Sequence, residues 1–440
     1  MIKRFIRRVL GLTTDALVRV PRNKHGVTRE ALSPAAAKVC AVLREAGFAA
    51  YVVGGAVRDL LLGIVPKDFD IATDARPEQI KPLFRRALII GRRFRLVHVM
   101  IGGETIEVST FRAADPETAE KDEHGRVLRD NVFGTQAEDA RRRDFTVNAL
   151  YFEPATEELV DFHGGLADLK KRVLRVIGDP ATRYREDPVR MLRAVRLGAK
   201  LGLTLDAATR QPIRSMAPLM ERVPPARLFD EMLKLLLSGH ASACLRQLRE
   251  VGLHKGLLPL LDVILEQPLG ERFVTLALAQ TDERVLAERP VSPAFLFAAL
   301  LWHEVLAAWK AREARGERSI AALESAMDEV LETQYAKLAI TRKLTATMRE
   351  VWGMQPRFEM RSGQRAYRLF EAPRFRMAYD FLALRAASGE VPAELEAWWR
   401  AFQGADAETR KAMLLPDTGP RKRRRRRRKK QPAAAAPEAV

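Results

Sequence analysis

Residues 54–73 read GGAVRDLLLGIVPKDFDIAT, and this stretch decides the fold of the chain. The apolar run Ala49–Val53 before it predicts a strand that enters a tight turn at the two glycines. Val57–Leu62 predicts a helix, and Asp68–Thr73 predicts a second strand. Because side chains two residues apart on a strand share one face, the two aspartates of this strand are predicted to point the same way.

Asp68 and Asp70 would then be close enough to share a divalent cation. Mg²⁺ binds few carboxylates and keeps waters and substrate phosphate oxygens as its other ligands. The backbone N–H groups of Gly54 and Gly55, at a turn into a helix, can bind phosphate, and the guanidinium of Arg58 can add to that site. An isolated acidic pair is more often a solvated strand edge, but the glycines and arginine upstream favour a nucleotide–metal site.

The segments around this stretch predict an α+β chain. Residues 34 to about 170 mix helices with short strands and include a hairpin, Arg95–Ile101 and Thr105–Phe111, joined across two glycines. After Asp179 the apolar periodicity is helical over the segments 184–203, 225–238, 240–252, 292–309, 319–337, 341–352 and 374–387. Residues 13–30 are polar and basic, which predicts a loose lead-in.

The composition favours a folded protein with a polyanionic partner. With 47% hydrophobic residues among 440, the chain has enough apolar material for a large core, which excludes wholesale disorder. Lys and Arg number 75 against 56 Asp and Glu, a formal charge of +19. Residues 421–430, RKRRRRRRKK, supply ten of these charges, and the rest of the chain is still basic. The predicted partner is therefore RNA, DNA or an anionic membrane surface.

Cysteine content and hydropathy bear on other classes of protein. Cys40 and Cys244 are too few for a disulfide scaffold or a Cys-rich zinc site, and two buried thiols in a reducing cytoplasm are expected. No apolar run is expected to reach the roughly 18 residues of a membrane span. Met1–Leu12 is amphipathic and basic, a pattern typical of contact with a membrane surface or RNA, but a frayed terminal helix without a fixed partner is favoured.

Three motifs together resemble one known family. They are the glycine–aspartate stretch above, RRRDFTVNALYF at 141–152, and GGLADLKKRVLRVIGDPATRYREDPVRMLRAVRLGAKLG at 164–202. These motifs resemble the class II nucleotidyltransferases, which include bacterial poly(A) polymerases and CCA-adding enzymes in the DNA-polymerase-β-like superfamily. The resemblance extends from about residue 34 to about residue 240.

The resemblance implies how the chain is divided. A polymerase-β-like nucleotidyltransferase head with a small mixed sheet would be followed by an all-α RNA-binding neck and body, and then by a disordered basic tail. The implied boundaries are 1–33 for the lead-in, 34–178 for the head, 179–240 for the neck, 241–414 for the body and 415–440 for the tail.

The resemblance also implies a third carboxylate beside Asp68 and Asp70. Asp144 occupies a position that the poly(A) polymerases treat as catalytic, whereas an acid on a neighbouring strand, here Glu107, is common in the superfamily. Asp144 is the favoured candidate of the two. By the same resemblance, Arg143 contacts the nucleotide triphosphate.

Four residues of the third motif are implied in nucleotide binding. In the family, Asp187 and Arg190 face the incoming base, while Arg193 and Arg196 contact phosphates. A carboxylate accepts from an exocyclic amine and a guanidinium donates to a ring nitrogen, a pattern that adenine and cytosine both satisfy. Guanine and uracil present the reverse pattern and would leave buried groups unpaired, at about 1–3 kcal/mol each. This motif therefore selects A or C without separating them.

Further features favour poly(A) synthesis over CCA addition. GRRFRLVHV at 91–99, PPARLFDEMLKLLLSG at 224–239 and VSPAFLFAALLW at 291–302 are similar to segments of bacterial poly(A) polymerases. The sequence has no His-Asp doublet of the kind found in the hydrolase domain of some CCA-adding enzymes. The arginine-rich run suits non-specific binding to the phosphates of single-stranded RNA, although a solubilising or localising tail has the same composition.

The sequence thus predicts a cytoplasmic, template-independent enzyme that adds AMP from ATP to RNA 3′ ends with Mg²⁺. Its predicted partners are ATP, single-stranded RNA ends and, beyond these, an RNA chaperone or RNA-decay machinery. Two alternatives stay open: a tRNA CCA-adding enzyme, and a non-catalytic RNA-binding protein on a nucleotidyltransferase scaffold. CTP incorporation into a tRNA without its 3′ end would indicate the first, and an Asp70→Ala variant altered only in RNA affinity would indicate the second.

Overall fold

The computed structural model describes residues 17–91, 95–113, 120–121, 127–129, 132–254 and 268–416. These residues form two compact units, one ending at Arg349 and the other beginning at Glu350. The N-terminal unit contains a mixed sheet followed by helices, and the C-terminal unit is helical. The α+β fold class predicted from the sequence is therefore confirmed for the described residues.

The described residues contain one large sheet and two short strand pairs. The strands are β1 Val18–Val20, β2 Ala50–Val53, β3 Asp70–Thr73, β4 Ala87–Ile90, β5 Leu96–Ile101, β6 Glu104–Thr110, β7 Glu120–Lys121, β8 Val127–Arg129, β9 Leu150–Glu153, β10 Glu158–Asp161, β11 Val173–Leu174 and β12 Thr204–Leu205. The large sheet has the order β1-β10-β9-β2-β3-β6-β5-β4, and its neighbours are antiparallel except for the parallel pair β3–β6. β7 pairs with β8, and β11 with β12.

Short helices alternate with the strands of the head. They are α1 Arg22–His25, α2 Pro34–Glu45, α3 Gly55–Leu61, α4 Pro77–Ile80, α5 Gln136–Arg142 and α6 Gly165–Lys170. α2 packs on the sheet because its apolar residues recur on one side, where Val39, Cys40 and Leu43 are buried. The Ser33 side chain begins this helix by accepting a hydrogen bond from the third residue of α2.

The remaining helices follow in both units. They are α7 Pro180–Glu186, α8 Val189–Leu201, α9 Ala207–Arg210, α10 Ile213–Met216, α11 Pro225–Leu236, α12 Ala241–Glu250, α13 Pro268–Leu286, α14 Pro293–Ala314, α15 Ser319–Lys337, α16 Arg342–Met354, α17 Gly363–Phe370, α18 Phe375–Ser388, α19 Ala393–Gly404 and α20 Ala407–Met413. The C-terminal unit is built on an aromatic core that includes Phe358, Phe375, Trp399 and Phe402.

Several predicted elements are confirmed. The predicted hairpin is β5–β6, and helices occupy the predicted segments after Asp179. The segment 184–203 is not one helix, because α7 ends at Glu186 and α8 begins at Val189. Pro188 explains the break, since proline disfavours a helical backbone in the residue before it.

One difference affects the site directly. The strand predicted over 68–73 begins only at Asp70, so Asp68 precedes β3. Val53 is the last residue of β2 and lies opposite Asp70, and the chain then turns away at Gly54. β2 therefore has no residue left to pair with Asp68. The prediction that both aspartates share the face of one strand is wrong, and their proximity depends on the loop instead.

The predicted loose lead-in is also wrong for residues 17–30. β1 pairs antiparallel with β10, so residues 18–20 form one edge of the large sheet. Val20 and Val27 are buried in the core of the head. A sheet edge offers unpaired backbone groups, and a polar, basic segment can pair with them whatever its composition.

Two predicted segments lie outside the described residues: Met1–Leu12 and the arginine-rich run 421–430. The domain boundaries inferred from the sequence remain predictions.

Contrary to the hydropathy expectation, α14 is long and apolar enough by composition to cross a membrane. However, 61% of its apolar window is buried inside the protein, as in the core helix of a globular domain.

Candidate nucleotide site

The glycine turn between β2 and α3 lies beside the start of β3. Gly54 has φ 76°, a left-handed conformation that glycine adopts without strain. A Cβ atom at this position would lie 3.4 Å from Nη1 of Arg143, an ordinary contact distance, so this guanidinium lies directly beside the turn. The Gly54 N–H donates to the carbonyl of Leu150 at 3.3 Å, which ties the turn to β9. The turn, β3 and Arg143 thus meet at one end of the central strands.

Three carboxylates, Asp68, Asp70 and Glu107, form what we call the acid cluster. Asp70 and Glu107 are opposite each other across the parallel strands β3 and β6, and Asp68 comes two residues before Asp70. The Asp70 side chain is exposed, yet the surrounding protein displaces much of its water. This desolvation, together with the negative charges of Glu107 and Asp68, raises the pKa of Asp70 to about 6, although Arg143 opposes the shift.

The acid cluster fits a divalent cation in its donor chemistry. Carboxylate oxygens are the ligands that hard cations such as Mg²⁺ prefer. The raised pKa of Asp70 reflects negative charge that is not balanced locally, and a bound cation would balance it. Within the described ranges, no group of three or more His, Cys, Asp or Glu residues is placed to hold a metal ion by itself, and the acid cluster is no exception. The cluster can therefore supply part of a coordination shell, and substrate phosphates and water would supply the rest.

Arg143 is held rigidly beside the glycine turn. Its Nε and Nη2 donate to Oδ2 of Asp139 at 3.2 and 3.0 Å, and its Nε also lies 3.0 Å from the hydroxyl of Tyr151. The Tyr151 hydroxyl in turn donates to Asp139 at 2.7 Å, and the guanidinium lies 5.1 Å from the Tyr151 ring centroid. Burial alone would lower the pKa of Arg143, but Tyr151 and Asp139 raise it, so this residue is a fixed cation.

A chain of four polar side chains, Arg58–Asn148–Asp144–Arg193, joins the head to α8. Arg58 Nη1 donates to Oδ1 of Asn148 at 2.6 Å, and Nδ2 of Asn148 donates to Oδ1 of Asp144 at 3.0 Å. Arg193 Nε donates to Oδ2 of Asp144 at 2.8 Å. We call this arrangement the polar chain. It links α3, the helix after the glycine turn, to α8, which lies beyond the head.

The charge of Asp144 is balanced within the polar chain. Burial would raise its pKa, but Arg193, the amide of Asn148 and the N–H of Phe145 lower it to about 2. Both carboxylate oxygens therefore already accept hydrogen bonds from neighbouring groups. Of the two candidates for a third acid, the structure brings Glu107 opposite Asp70 and pairs Asp144 with Arg193.

Asp187 and Arg190, which are predicted to bind the base, each contact a partner that was not predicted from the sequence. Oδ2 of Asp187 accepts from Nη2 of Arg227, on α11, at 2.6 Å. Arg190 donates through Nη1 to Glu186 at 3.1 Å and to the carbonyl of Arg183 at 2.8 Å. These partners hold the two side chains at the start of α8.

Arg196 and Arg193 share one partner on α11, the carboxylate of Glu231. Nη2 of Arg196 lies 3.6 Å from Oε2 of Glu231, and Nη1 of Arg193 lies 4.0 Å from Oε1 of the same side chain. Glu231 is buried, so it can balance both guanidiniums. The only sequence signal for these contacts is the i, i+4 spacing of Arg227 and Glu231 in PPARLFDE, which places both on one side of a helix.

Family models match three parts of the chain. A model described as the poly A polymerase head domain matches residues 50–175, which contain the glycine turn, the acid cluster and Asp144. A model described as a probable RNA and SrmB-binding site of polymerase A matches 202–265. A third, described as the arginine-rich C-terminus of polymerase A, matches 315–431.

Individual relatives agree with these matches. Poly(A) polymerase I of Salmonella typhi is 45% identical over 419 residues, which is 92% of this chain and 90% of that protein. The CCA-adding enzyme of Lactobacillus helveticus is 39% identical over 203 residues, 46% of this chain and 50% of that protein. The crystal structure of the Bacillus stearothermophilus CCA-adding enzyme in complex with CTP is similar with a TM-score of 0.56 and 27% identity, covering 87% of this chain and 82% of that one. The near-complete match to poly(A) polymerase I means that this chain belongs to the poly(A) polymerase family of nucleotidyltransferases, as its motifs predict.

Proposed function

We propose that this chain adds AMP from ATP to the 3′ ends of RNA without a template. The observation that carries the proposal is the acid cluster, which lies beside a glycine turn and a fixed arginine in a chain of the poly(A) polymerase family. Carboxylates next to phosphate-binding groups are what phosphoryl transfer from a nucleoside triphosphate requires. The reaction is attack of the RNA 3′-hydroxyl oxygen on the α-phosphorus of ATP, with pyrophosphate as the leaving group.

The acid cluster is proposed to hold the divalent cation, Mg²⁺. When bound, this ion would lower the pKa of the attacking hydroxyl and neutralise charge on the pyrophosphate. Asp68 and Asp70 are the predicted ligands, and we assign the third carboxylate to Glu107, because it lies opposite Asp70 in the sheet. The sequence favoured Asp144 for this role. Its ion pair with Arg193 supports a positioning role instead.

Triphosphate binding is assigned to groups at both ends of the polar chain. Gly54 and Gly55 would donate backbone N–H groups, and Arg58 and Arg143 would add positive charge from the head. Two further cations, Arg193 and Arg196, are three residues apart on α8 and would approach the same phosphates from the neck. The polar chain would set the separation between these two groups of cations.

Base selection is assigned to Asp187 and Arg190. Asp187 would accept from the exocyclic amine of adenine, and Arg190 would donate to its ring nitrogen. Their partners Arg227 and Glu186 orient both side chains before the nucleotide arrives. This pre-organisation supports discrimination against G and U, because a mismatched base would leave a buried group unpaired at about 1–3 kcal/mol.

Extension of a generic oligoribonucleotide with each nucleoside triphosphate separately, with and without Mg²⁺, tests the proposal. We expect long products with ATP, little with CTP and none with GTP or UTP, all dependent on the metal. Incorporation of CTP into a tRNA lacking its 3′ end, as readily as ATP, would instead favour the CCA-adding alternative. That alternative has support from relatives that match only about half of the chain.

The non-catalytic alternative predicts a different result. On a scaffold that only binds RNA, Asp70→Ala would alter RNA affinity without abolishing any nucleotide incorporation.

A cytoplasmic location is part of the proposal and agrees with the two free, buried thiols Cys40 and Cys244. An RNA chaperone or RNA-decay machinery as a partner remains a prediction.

A further inference from the structure

A cleft of about 700 Å³ lies between the start of α8 and the segment that leads into α11. Its walls are Arg185, Glu186, Asp187, Pro188, Ser215, Met216, Pro218, Leu219, Arg222, Val223, Pro224 and Arg227. The volume falls within the roughly 300–1,000 Å³ of pockets that bind small ligands. Of the residues assigned above to the metal, the triphosphate and the base, this cleft contains only Asp187.

The cleft combines an apolar wall with cations. Met216, Leu219 and Val223 contribute apolar side chains. Arg185 and Arg222 are exposed. Arg185 is close enough to Asp179 to contribute to the lowered pKa of that carboxyl, and no ion pair joins either arginine to another described residue. An apolar surface beside two exposed guanidiniums is suited to a ligand with flat bases and a phosphate backbone, because the apolar side chains can contact bases and the guanidiniums can pair with phosphates.

Asp187 connects this cleft to the proposed base site. Asp187 lines the cleft, and its carboxylate is held by Arg227, which lines the cleft as well. In-line transfer requires the RNA 3′-hydroxyl to lie next to the α-phosphate of the incoming ATP. The terminal nucleotides of the RNA must therefore lie directly beside the incoming nucleotide, and a cleft that shares Asp187 with the base site meets this condition.

We infer that this cleft binds the 3′-terminal nucleotides of the RNA primer, with Arg185 and Arg222 contacting backbone phosphates. The inference rests on the proposed function, since a primer exists only for an enzyme that extends RNA. It is supported by charge complementarity and by the position of residues 215–227 within the segment that matches the RNA-binding family model. The cleft is thereby assigned to the primer and not to ATP.

Two variants test the inference, and both change exposed residues. The double variant Arg185→Ala/Arg222→Ala removes the two cations, and Ser215→Trp fills the cleft with an indole. The matched control is Arg289→Ala/Arg318→Ala, which removes two exposed arginines that do not line the cleft. Binding of a fluorescent oligo(A) is measured by anisotropy without ATP or metal, and KM is measured separately for the oligo(A) primer and for ATP.

We expect the double variant to raise the Kd and the primer KM about tenfold, with the ATP KM within twofold of wild type. The slope of log K against log salt should fall by about 1.4, because each phosphate contact to a single strand contributes about 0.7. Ser215→Trp should raise the primer KM similarly, and the control should change neither constant more than twofold.

Three results would overturn the inference. One is an unchanged primer KM in both variants, another is a rise in the ATP KM in place of the primer KM, and the third is an equal loss in the control. Because the anisotropy assay contains no ATP, it separates this inference from the proposed function. A wild-type protein that binds oligo(A) through the cleft but incorporates no AMP would refute the proposed function and, with it, the role of the RNA as a primer, while RNA binding by the cleft would stand.

Discussion

The acid cluster of the head and the polar chain, which joins the head to α8, both contain carboxylates, and they differ in how that negative charge is balanced. Asp70 faces Glu107 and has a raised pKa of about 6, whereas Asp144 is paired with Arg193 and has a lowered pKa of about 2. Unbalanced like charges cost stability, and a paired, hydrogen-bonded charge contributes to it. The comparison supports the proposed division of roles, in which the acid cluster takes part in the chemistry and Asp144 in positioning.

Asp70→Asn should have the largest effect on activity and the most favourable effect on stability. Loss of a proposed metal ligand is expected to lower kcat about a thousandfold. Removing one of the crowded charges should leave the melting temperature unchanged or higher, because Glu107 and Asp68 no longer face a third carboxylate. Steady-state polyadenylation and thermal unfolding measure the two effects.

Asp230→Asn, at an exposed position on α11, serves as the control for Asp70→Asn. This control variant should change neither kcat nor the melting temperature. More than a tenth of wild-type activity in Asp70→Asn would contradict the assignment of the acid cluster.

Glu107→Gln should lower kcat about a hundredfold without a loss of stability, since Glu107 is proposed as the third carboxylate. The matched control is Glu104→Gln, because Glu104 is exposed on the same strand and is not opposite Asp70. If Glu107→Gln retains normal kcat while Asp144→Asn abolishes activity, the third acid is Asp144. The proposed division of roles between the acid cluster and the polar chain would then be wrong.

Asp144→Asn should instead cost stability as well as activity. Asp144 has a mostly buried side chain and Arg193 is about one third exposed, so solvent screens part of their attraction. Breaking the pair leaves Arg193 with a weaker partner, and we expect a loss of about 1–2 kcal/mol in the free energy of unfolding. kcat should fall about tenfold because Arg193 loses its position. Urea unfolding measures the first effect. A double-mutant cycle with Arg193→Gln should give a coupling energy well above zero, and additive effects would show that the pair is not coupled.

The same pair predicts how stability depends on pH. The folded pKa of Asp144, about 2, lies below the ordinary 3.8, so its contribution is fully present above about pH 4. It should be lost as pH falls from about 4 towards 2. The difference in unfolding free energy between wild type and Asp144→Asn should therefore shrink over this interval. A difference that stays constant down to pH 2 would exclude the ion pair as its cause.

The smallest effect is expected for Tyr151→Phe. This change removes the hydroxyl that contacts both Arg143 and Asp139 but keeps the ring under the guanidinium. We expect a loss of about 1 kcal/mol in stability and a rise in the ATP KM of about threefold. Tyr51→Phe, on the neighbouring strand β2, is the control. An unchanged ATP KM would mean that Asp139 alone is enough to fix Arg143.

The local pattern of the sequence was enough to predict the hairpin, the glycine turn and the helices after Asp179. It failed where an element depends on a distant partner. β1 exists because β10 presents an open edge about 140 residues later in the chain, and β3 is shortened because β2 ends at Val53. Neither fact can be derived from periodicity, since periodicity describes the burial of a segment and not the length of its neighbour.

The candidate site also has features that could be predicted from the sequence and features that depend on the tertiary structure. Residue chemistry and motif resemblance by themselves determined that this chain is a nucleotidyltransferase of the poly(A) polymerase family, because a few side-chain types at short spacings identify it. Only the tertiary structure decided that Glu107 faces Asp70, that Asp144 is balanced by Arg193, and that Arg227 holds Asp187. These contacts join residues far apart in the chain, and electrostatic energy depends on their distance in space.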